Sequence, residues 1–175
     1  FGNSGWAHKT VSYYRRAFEP IAYNRYFSFT FVRNPYSRLV SAFGFLKVGG
    51  YNVGNAEWGK QHLSQYNSVN EFVLDWLSED NIWSYVHFFP QSHFVCEVVS
   101  APAVDCVGRF ETLDSDFHHV CNRLGVERSL AVRNSGGTTS RSWSDLLTEA
   151  ARNRVWNVYK RDFELFGYER RGASC

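Results

Sequence analysis

Polar and apolar positions alternate most regularly over residues 26–32, where Phe27, Phe29 and Phe31 are interleaved with Ser28 and Thr30 and Val32 extends the apolar end. Period-two alternation in aromatic and β-branched residues predicts a strand packed on a core. Asn34 and Pro35 follow, a capping side chain and then a residue whose missing N–H costs nothing in the first helical turn. A helix is therefore predicted over residues 35–46, with Arg33 between strand and helix. Ser41 lies eight residues beyond Arg33, about 10 Å along that helix at about 1.5 Å per residue. A guanidinium at the carboxyl end of a strand in an open α/β sheet suits phosphate, and the Ser41 hydroxyl can share the same anion. A salt-bridged rim arginine and a serine bonded to its own helix backbone account for the residues equally well.

The rest of the pattern is mostly helical. Val11, Tyr14 and Phe18 share a face and predict a short helix over residues 8–18, ended by Pro20 and carrying His8 at its start. Residues 47–63 are rich in Gly and Asn without a period and are expected to form a long loop, in which Lys47, Lys60 and His62 can meet an anionic or polar acceptor. Ser68 and Glu71 form a capping box ahead of an apolar face of Val69, Phe72, Val73, Trp76 and Leu77. His87 and Gln91 are polar groups in an aromatic run and need hydrogen-bond partners wherever they are buried, as core residues or as a pocket wall.

Residues 94–99 and 104–110 read as two strands joined by a turn at Ser100-Ala-Pro-Ala. Residues 111–124 then read as a helix with an acidic start, a stripe of Leu113, Phe117, Val120, Cys121 and Leu124, and Gly125 as C-cap. His118 and His119 fall on its surface. Residues 133–141 form a polar loop whose backbone N–H groups suit a phosphate, as they also suit a solvated linker. A single helix is predicted over residues 142–166, with Trp143, Leu146, Leu147, Ala150, Val155, Val158, Tyr159 and Phe166 inward and Gly167 ending it.

Composition bounds this picture. The 175 residues, 44% apolar and 18% aromatic, suit a single domain with a packed core. A net charge of +2, with 19 basic and 17 acidic residues interspersed, gives no basis for a nucleic-acid partner. No apolar run reaches the roughly 18 residues of a membrane span, and no signal-peptide pattern opens the chain, so no membrane contact is expected of it. The chain starts at Phe1 and contains no Met, so its native start is expected elsewhere. The four cysteines lack C-x-x-C spacing and paired His ligands, which argues against a zinc site, and no other cluster implies a metal. Cys96 and Cys106 either pair across a hairpin or remain two thiols.

Phe31-Val-Arg33-Asn-Pro-Tyr-Ser-Arg38-Leu-Val-Ser41-Ala-Phe resembles the 3′-phosphate-binding segment of the carbohydrate sulfotransferases that use 3′-phosphoadenosine 5′-phosphosulfate, PAPS. His87-Phe-Phe-Pro-Gln91, Val104-Asp-Cys-Val-Gly-Arg-Phe-Glu111-Thr-Leu and Asp162-Phe-Glu-Leu-Phe-Gly-Tyr168 resemble later landmarks of that family in the family's order, and Asn134-Ser135 its polar loop before the last helix. The resemblance implies an α/β, P-loop-NTPase-like three-layer fold, a parallel sheet flanked by helices, spanning residues 1–175. It implies sulfuryl transfer from PAPS to a hydroxyl of a carbohydrate or similar acceptor. Arg33, Ser41, Arg38, Asn134 and Ser135 are the implied cofactor-binding residues. His8, just upstream of the 3′-phosphate strand as in some family members, and His87 are the candidate bases.

The family's Pro-Lys-x-Gly-type loop, whose lysine steadies charge on the bridging oxygen, has no counterpart before Arg33. A piece lacking the first strand and loop is therefore expected, with weak cofactor binding, or else a non-catalytic nucleotide- or glycan-binding module of the same fold. Few cysteines and no N-x-S/T site favour a bacterial cytoplasm. The resemblance offers the Golgi lumen, behind an N-terminal anchor, as the alternative. Oligomeric state and the acceptor stay open.

Overall fold

A computed structural model describes residues 8–18, 23–97, 101–131 and 142–170. In chain order they form α1 Val11–Ala17, β1 Phe29–Val32, α2 Pro35–Lys47, α3 Val53–Leu63 and α4 Val69–Asp75. Two 3-10 turns follow, Asn81–Ser84 and Val86–Phe88, and then α5 Gln91–Val95 and β2 Cys106–Arg109. A third 3-10 turn, Phe110–Thr112, leads into α6 Leu113–Leu124, and the last helices are α7 Trp143–Leu146, α8 Glu149–Val158 and α9 Lys160–Phe166. The chain divides into two compact units, one from the stretches 1–33 and 90–131, the other from 34–89 and 132–175.

The first unit holds the sheet. Among the described residues it has two strands, β1 and β2, parallel, with Phe29 opposite Cys106 and Val32 opposite Arg109. Parallel strands need a long crossover, and here the connection carries α2 to α5. Gly108 is required in β2 because a Cβ there would stand 2.6 Å from the Phe31 ring. Ahead of the strands, the Asp105 carboxylate accepts from the Ser28 amide at 2.8 Å and the Ser28 hydroxyl at 2.6 Å, while the Asp105 amide donates to the Ser28 carbonyl at 2.9 Å. This ties the strand starts in register. The alternation of β1 only partly predicts its burial: Val32 is buried, but Phe29 is 41% exposed.

The strand predicted over residues 94–99 does not form. Pro90 stands at the N-cap and residues 91–95 turn into α5 instead, with the Ala103 amide closing back on the Val95 carbonyl at 2.8 Å. Residues 98–100 lie outside the described residues. Cys96 and Cys106 are free thiols, so the hairpin pairing is not made. Gly125 ends α6 at φ 65°, the left-handed conformation expected of a glycine C-cap. The predicted stripe of α6 is buried only at Val120 and Cys121, whereas Leu124 is exposed. His118 and His119 are exposed as expected.

The second unit is helical around a core of Tyr36, Leu46, Leu63, Phe72, Phe88 and Phe163. Residues 53–63, expected to be loop, form α3, with the Asn52 side chain accepting from the Asn55 amide at 2.9 Å. The loop expectation fails because Gly59, one of the glycines that mask the period, serves packing. A Cβ on Gly59 would meet the Leu46 carbonyl oxygen at 2.2 Å, so α2 and α3 approach there backbone to backbone.

Ser68 caps α4 as predicted, its hydroxyl accepting from the Glu71 amide, while the Glu71 carboxylate reaches back one residue further than a capping box requires and accepts from the Asn67 amide at 2.8 Å. The single helix predicted over residues 142–166 is three. Leu147 is extended, Thr148 caps α8, and Tyr159 breaks α8 from α9. The break moves burial from Ala150 to Ala151 and buries Phe163 completely. Gly167 ends α9 at φ 65°. Among the described residues no helix is long and apolar enough to cross a membrane.

Candidate functional site

In the first unit the carboxyl ends of β1 and β2 lie side by side, with Val32 paired to Arg109. Arg33 follows Val32 directly. Its backbone is held by one side chain: Gln91 Oε1 accepts from the Arg33 amide at 2.8 Å and Gln91 Nε2 donates to the Arg33 carbonyl at 2.8 Å. Gln91 itself is buried. The Arg33 guanidinium lies over the Phe110 ring, 4.5 Å from its centroid, a cation–π placement that fixes where the charge sits. At the end of β2, the Asp116 carboxylate accepts from the Arg109 amide at 2.7 Å and the Thr112 hydroxyl at 2.8 Å, and these bonds hold its pKa below the usual carboxylate range. Two arginines thus stand on pinned backbone at the carboxyl ends of parallel strands, where α/β sheets bind ligands.

His8 also belongs to this unit. It is exposed, at φ 60°, the left-handed region that side chains other than glycine seldom occupy.

The second unit carries the remaining candidates. Asn34 caps α2 through its side-chain oxygen, which accepts from the Tyr36 amide at 2.9 Å. Ser41 sits half-buried two turns along that helix. Arg38, on the same helix, has its pKa lowered by burial, and the electrostatic influence of the buried Tyr159 and Asp162 pulls it back up. Burial also drives the Tyr159 phenol far above its usual range, and its hydroxyl donates to the Phe88 carbonyl at 2.7 Å.

His87 is stacked between Tyr85, at 5.3 Å, and Phe45, at 5.4 Å, and Tyr85 in turn stacks on Trp58 at 4.5 Å. These rings set the plane of the imidazole. Lys47 does not reach toward an acceptor: its ammonium donates to the carbonyls of Leu63 and Tyr66, each at 2.6 Å, where α3 ends. His62 is stacked on Trp58 at 4.5 Å and bonded to its carbonyl at 3.0 Å, and Lys60 is exposed. Asn134 and Ser135 lie outside the described residues. Among the described residues no group of His, Cys, Asp and Glu could hold a metal ion.

Arg33 thus belongs to the first unit, and Ser41, Arg38 and His87 to the second. Sequence reasoning flagged Gln91 as a polar group needing a partner but not that the partner is Arg33. It missed Phe110 and Asp162, whose contacts come from distant parts of the chain.

This chain belongs to the sulfotransferase family, whose model matches residues 4–169. It is similar to carbohydrate sulfotransferase 9 of Homo sapiens, 25% identical over 169 residues that cover 83% of this chain and 38% of that protein. It is also similar to carbohydrate sulfotransferase 12 of Mus musculus, 26% identical over 175 residues, 82% of this chain and 40% of that protein. The chain spans about two fifths of the length of these curated relatives. No solved structure matches it.

Proposed function

We propose that this chain is part of an enzyme that transfers a sulfuryl group from PAPS to a hydroxyl of a carbohydrate or similar acceptor. The observation that carries the proposal is the Arg33 site. An arginine in the family's 3′-phosphate segment stands at the carboxyl end of a parallel strand, with its backbone clamped and its guanidinium laid on an aromatic face. That donor set fits an anion. Arg33 would hold the 3′-phosphate, and the family resemblance assigns Ser41, Asn134 and Ser135 as further cofactor contacts. Arg38 is assigned to the same segment, with its charge shared with Asp162.

PAPS supplies an activated sulfuryl group: its sulfur–oxygen bond to the 5′-phosphate breaks as the bond from sulfur to the acceptor oxygen forms. The protein must take the acceptor's hydroxyl proton, and an imidazole titrating near neutrality suits that step. His8 and His87 are the proposed bases. The stacked rings beside His87 favour it as the better oriented of the two. The family match runs through both units, which supports one sulfotransferase domain of P-loop-like, three-layer design over the whole chain. Relatives from mammals favour the Golgi alternative over a bacterial cytoplasm.

The test is transfer of radiolabel from PAPS to a panel of glycans by the native full-length protein. Label is expected in an acceptor, with His87→Ala lowering the rate by about 100-fold or more. Binding of the nucleotide without transfer to any hydroxyl would contradict the enzyme assignment and leave a binding module.

A further inference from the structure

We propose that Gln91 is a positioning residue for the anion-binding Arg33. The inference rests on the assignment of Arg33 to the 3′-phosphate. The ladder between β1 and β2 ends at the pair Val32 and Arg109, and Arg33 is the next residue of the chain. Gln91 bonds its backbone from the side. Its carboxamide presents an acceptor oxygen and a donor nitrogen side by side, as a peptide group does, and each makes a bond to the Arg33 backbone at 2.8 Å. A single bond leaves a peptide free to swing about it. Two bonds to the N–H and the C=O of one residue fix both flanking peptide planes and so the direction in which its side chain leaves the chain.

Gln91 is itself immobilised. It is 8% exposed, follows Pro90, and opens α5. With Phe110 beneath the guanidinium at 4.5 Å, the Arg33 side chain is defined at both its root and its tip. A glutamine that served only to satisfy buried polar groups would be equally content with any donor and acceptor. Here both bonds converge on the one residue whose direction decides phosphate binding. Such preorganisation raises affinity by removing the ordering cost from the binding step.

The experiment compares two nucleotides on the chain of residues 1–175: 3′-phosphoadenosine 5′-phosphate and adenosine 5′-phosphate, which lacks the 3′-phosphate. Calorimetry gives the ratio of their affinities. Gln91→Met keeps the length and apolar bulk of the side chain and removes both bonds. It is expected to lower that ratio by about tenfold while leaving the affinity for adenosine 5′-phosphate within about twofold of the parent. An unchanged ratio, or equal loss for both nucleotides, would overturn the positioning role, the second outcome marking Gln91 as merely structural. Arg33→Ala is run beside it: a parent-like ratio in that variant would overturn the 3′-phosphate assignment itself and the positioning role with it.

A second measurement needs no variant. In the parent protein the Arg33 amide is expected to exchange with deuterium more slowly than its exposure alone allows, and more slowly still with 3′-phosphoadenosine 5′-phosphate bound. Exchange as fast as in an unstructured peptide would contradict the clamp even if Gln91→Met does not fold.

Discussion

The Arg33 guanidinium rests on the Phe110 ring at 4.5 Å, and Phe110 is itself 49% exposed. The ring therefore contributes more to the posture of the arginine than to the core. Phe110→Ala is expected to weaken binding of 3′-phosphoadenosine 5′-phosphate by about three- to fivefold, the worth of an exposed cation–π contact, with the thermal midpoint nearly unchanged. Calorimetry and a melting curve on one preparation check both halves.

Arg38 answers to a different partner. The charge of the completely buried Asp162 acts on it, so removing the guanidinium takes away a favourable influence on that carboxylate. Arg38→Ala is expected to lower unfolding stability by about 1 kcal/mol, the usual scale for a point substitution. Adding Asp162→Asn should recover part of that loss. Urea unfolding of the two single variants and the double variant measures the coupling. A stable Arg38→Ala protein with weakened nucleotide binding would instead make Arg38 a direct cofactor contact.

The site was legible in the sequence where its signals are local. Strand alternation, the Asn34 cap, Pro35 at the first helical position and the spacing from Arg33 to Ser41 are all contained in one short stretch. What lies outside such a stretch was not. Gln91 is 58 residues from the peptide it holds, and Phe110 reaches Arg33 only because β2 pairs with β1. The helix α3 was hidden because Gly54 and Gly59 read as loop residues. Gly59 is there for the close passage of the Leu46 carbonyl, a tertiary demand with no local signature. The last helix was read as continuous because nothing in its apolar pattern marks the extended residue Leu147.

Lys47 shows how such a misreading moves a functional residue. Placed in a loop it suggested an acceptor contact, but its ammonium instead bonds the Leu63 and Tyr66 carbonyls where α3 ends. Lys47→Met is expected to destabilise the fold by about 1–2 kcal/mol, on the scale of charge-assisted bonds at a partly exposed site. Nucleotide affinity should not change. Denaturant midpoints and calorimetry together test this.

Acid should loosen the sheet first. Bonds from the Ser28 hydroxyl and amide lower the pKa of Asp105, and bonds from the Arg109 amide and Thr112 lower that of Asp116. Carboxyls held below the unfolded value of about 3.9 add stability that is fully present above that pH. It is lost as pH falls through the lower, folded values, because the unfolded chain then binds more protons. Asp105→Asn is expected to flatten part of this dependence. Urea midpoints measured from about pH 6 down to about pH 3 follow it.

The central claim is that Arg33 holds a nucleotide 3′-phosphate, and calorimetric titration of 3′-phosphoadenosine 5′-phosphate into the parent chain and into Arg33→Ala tests it most directly. The parent is expected to bind, and the variant to bind at least about tenfold more weakly, as loss of a charge-assisted contact requires. Equal affinity in the two proteins would contradict it.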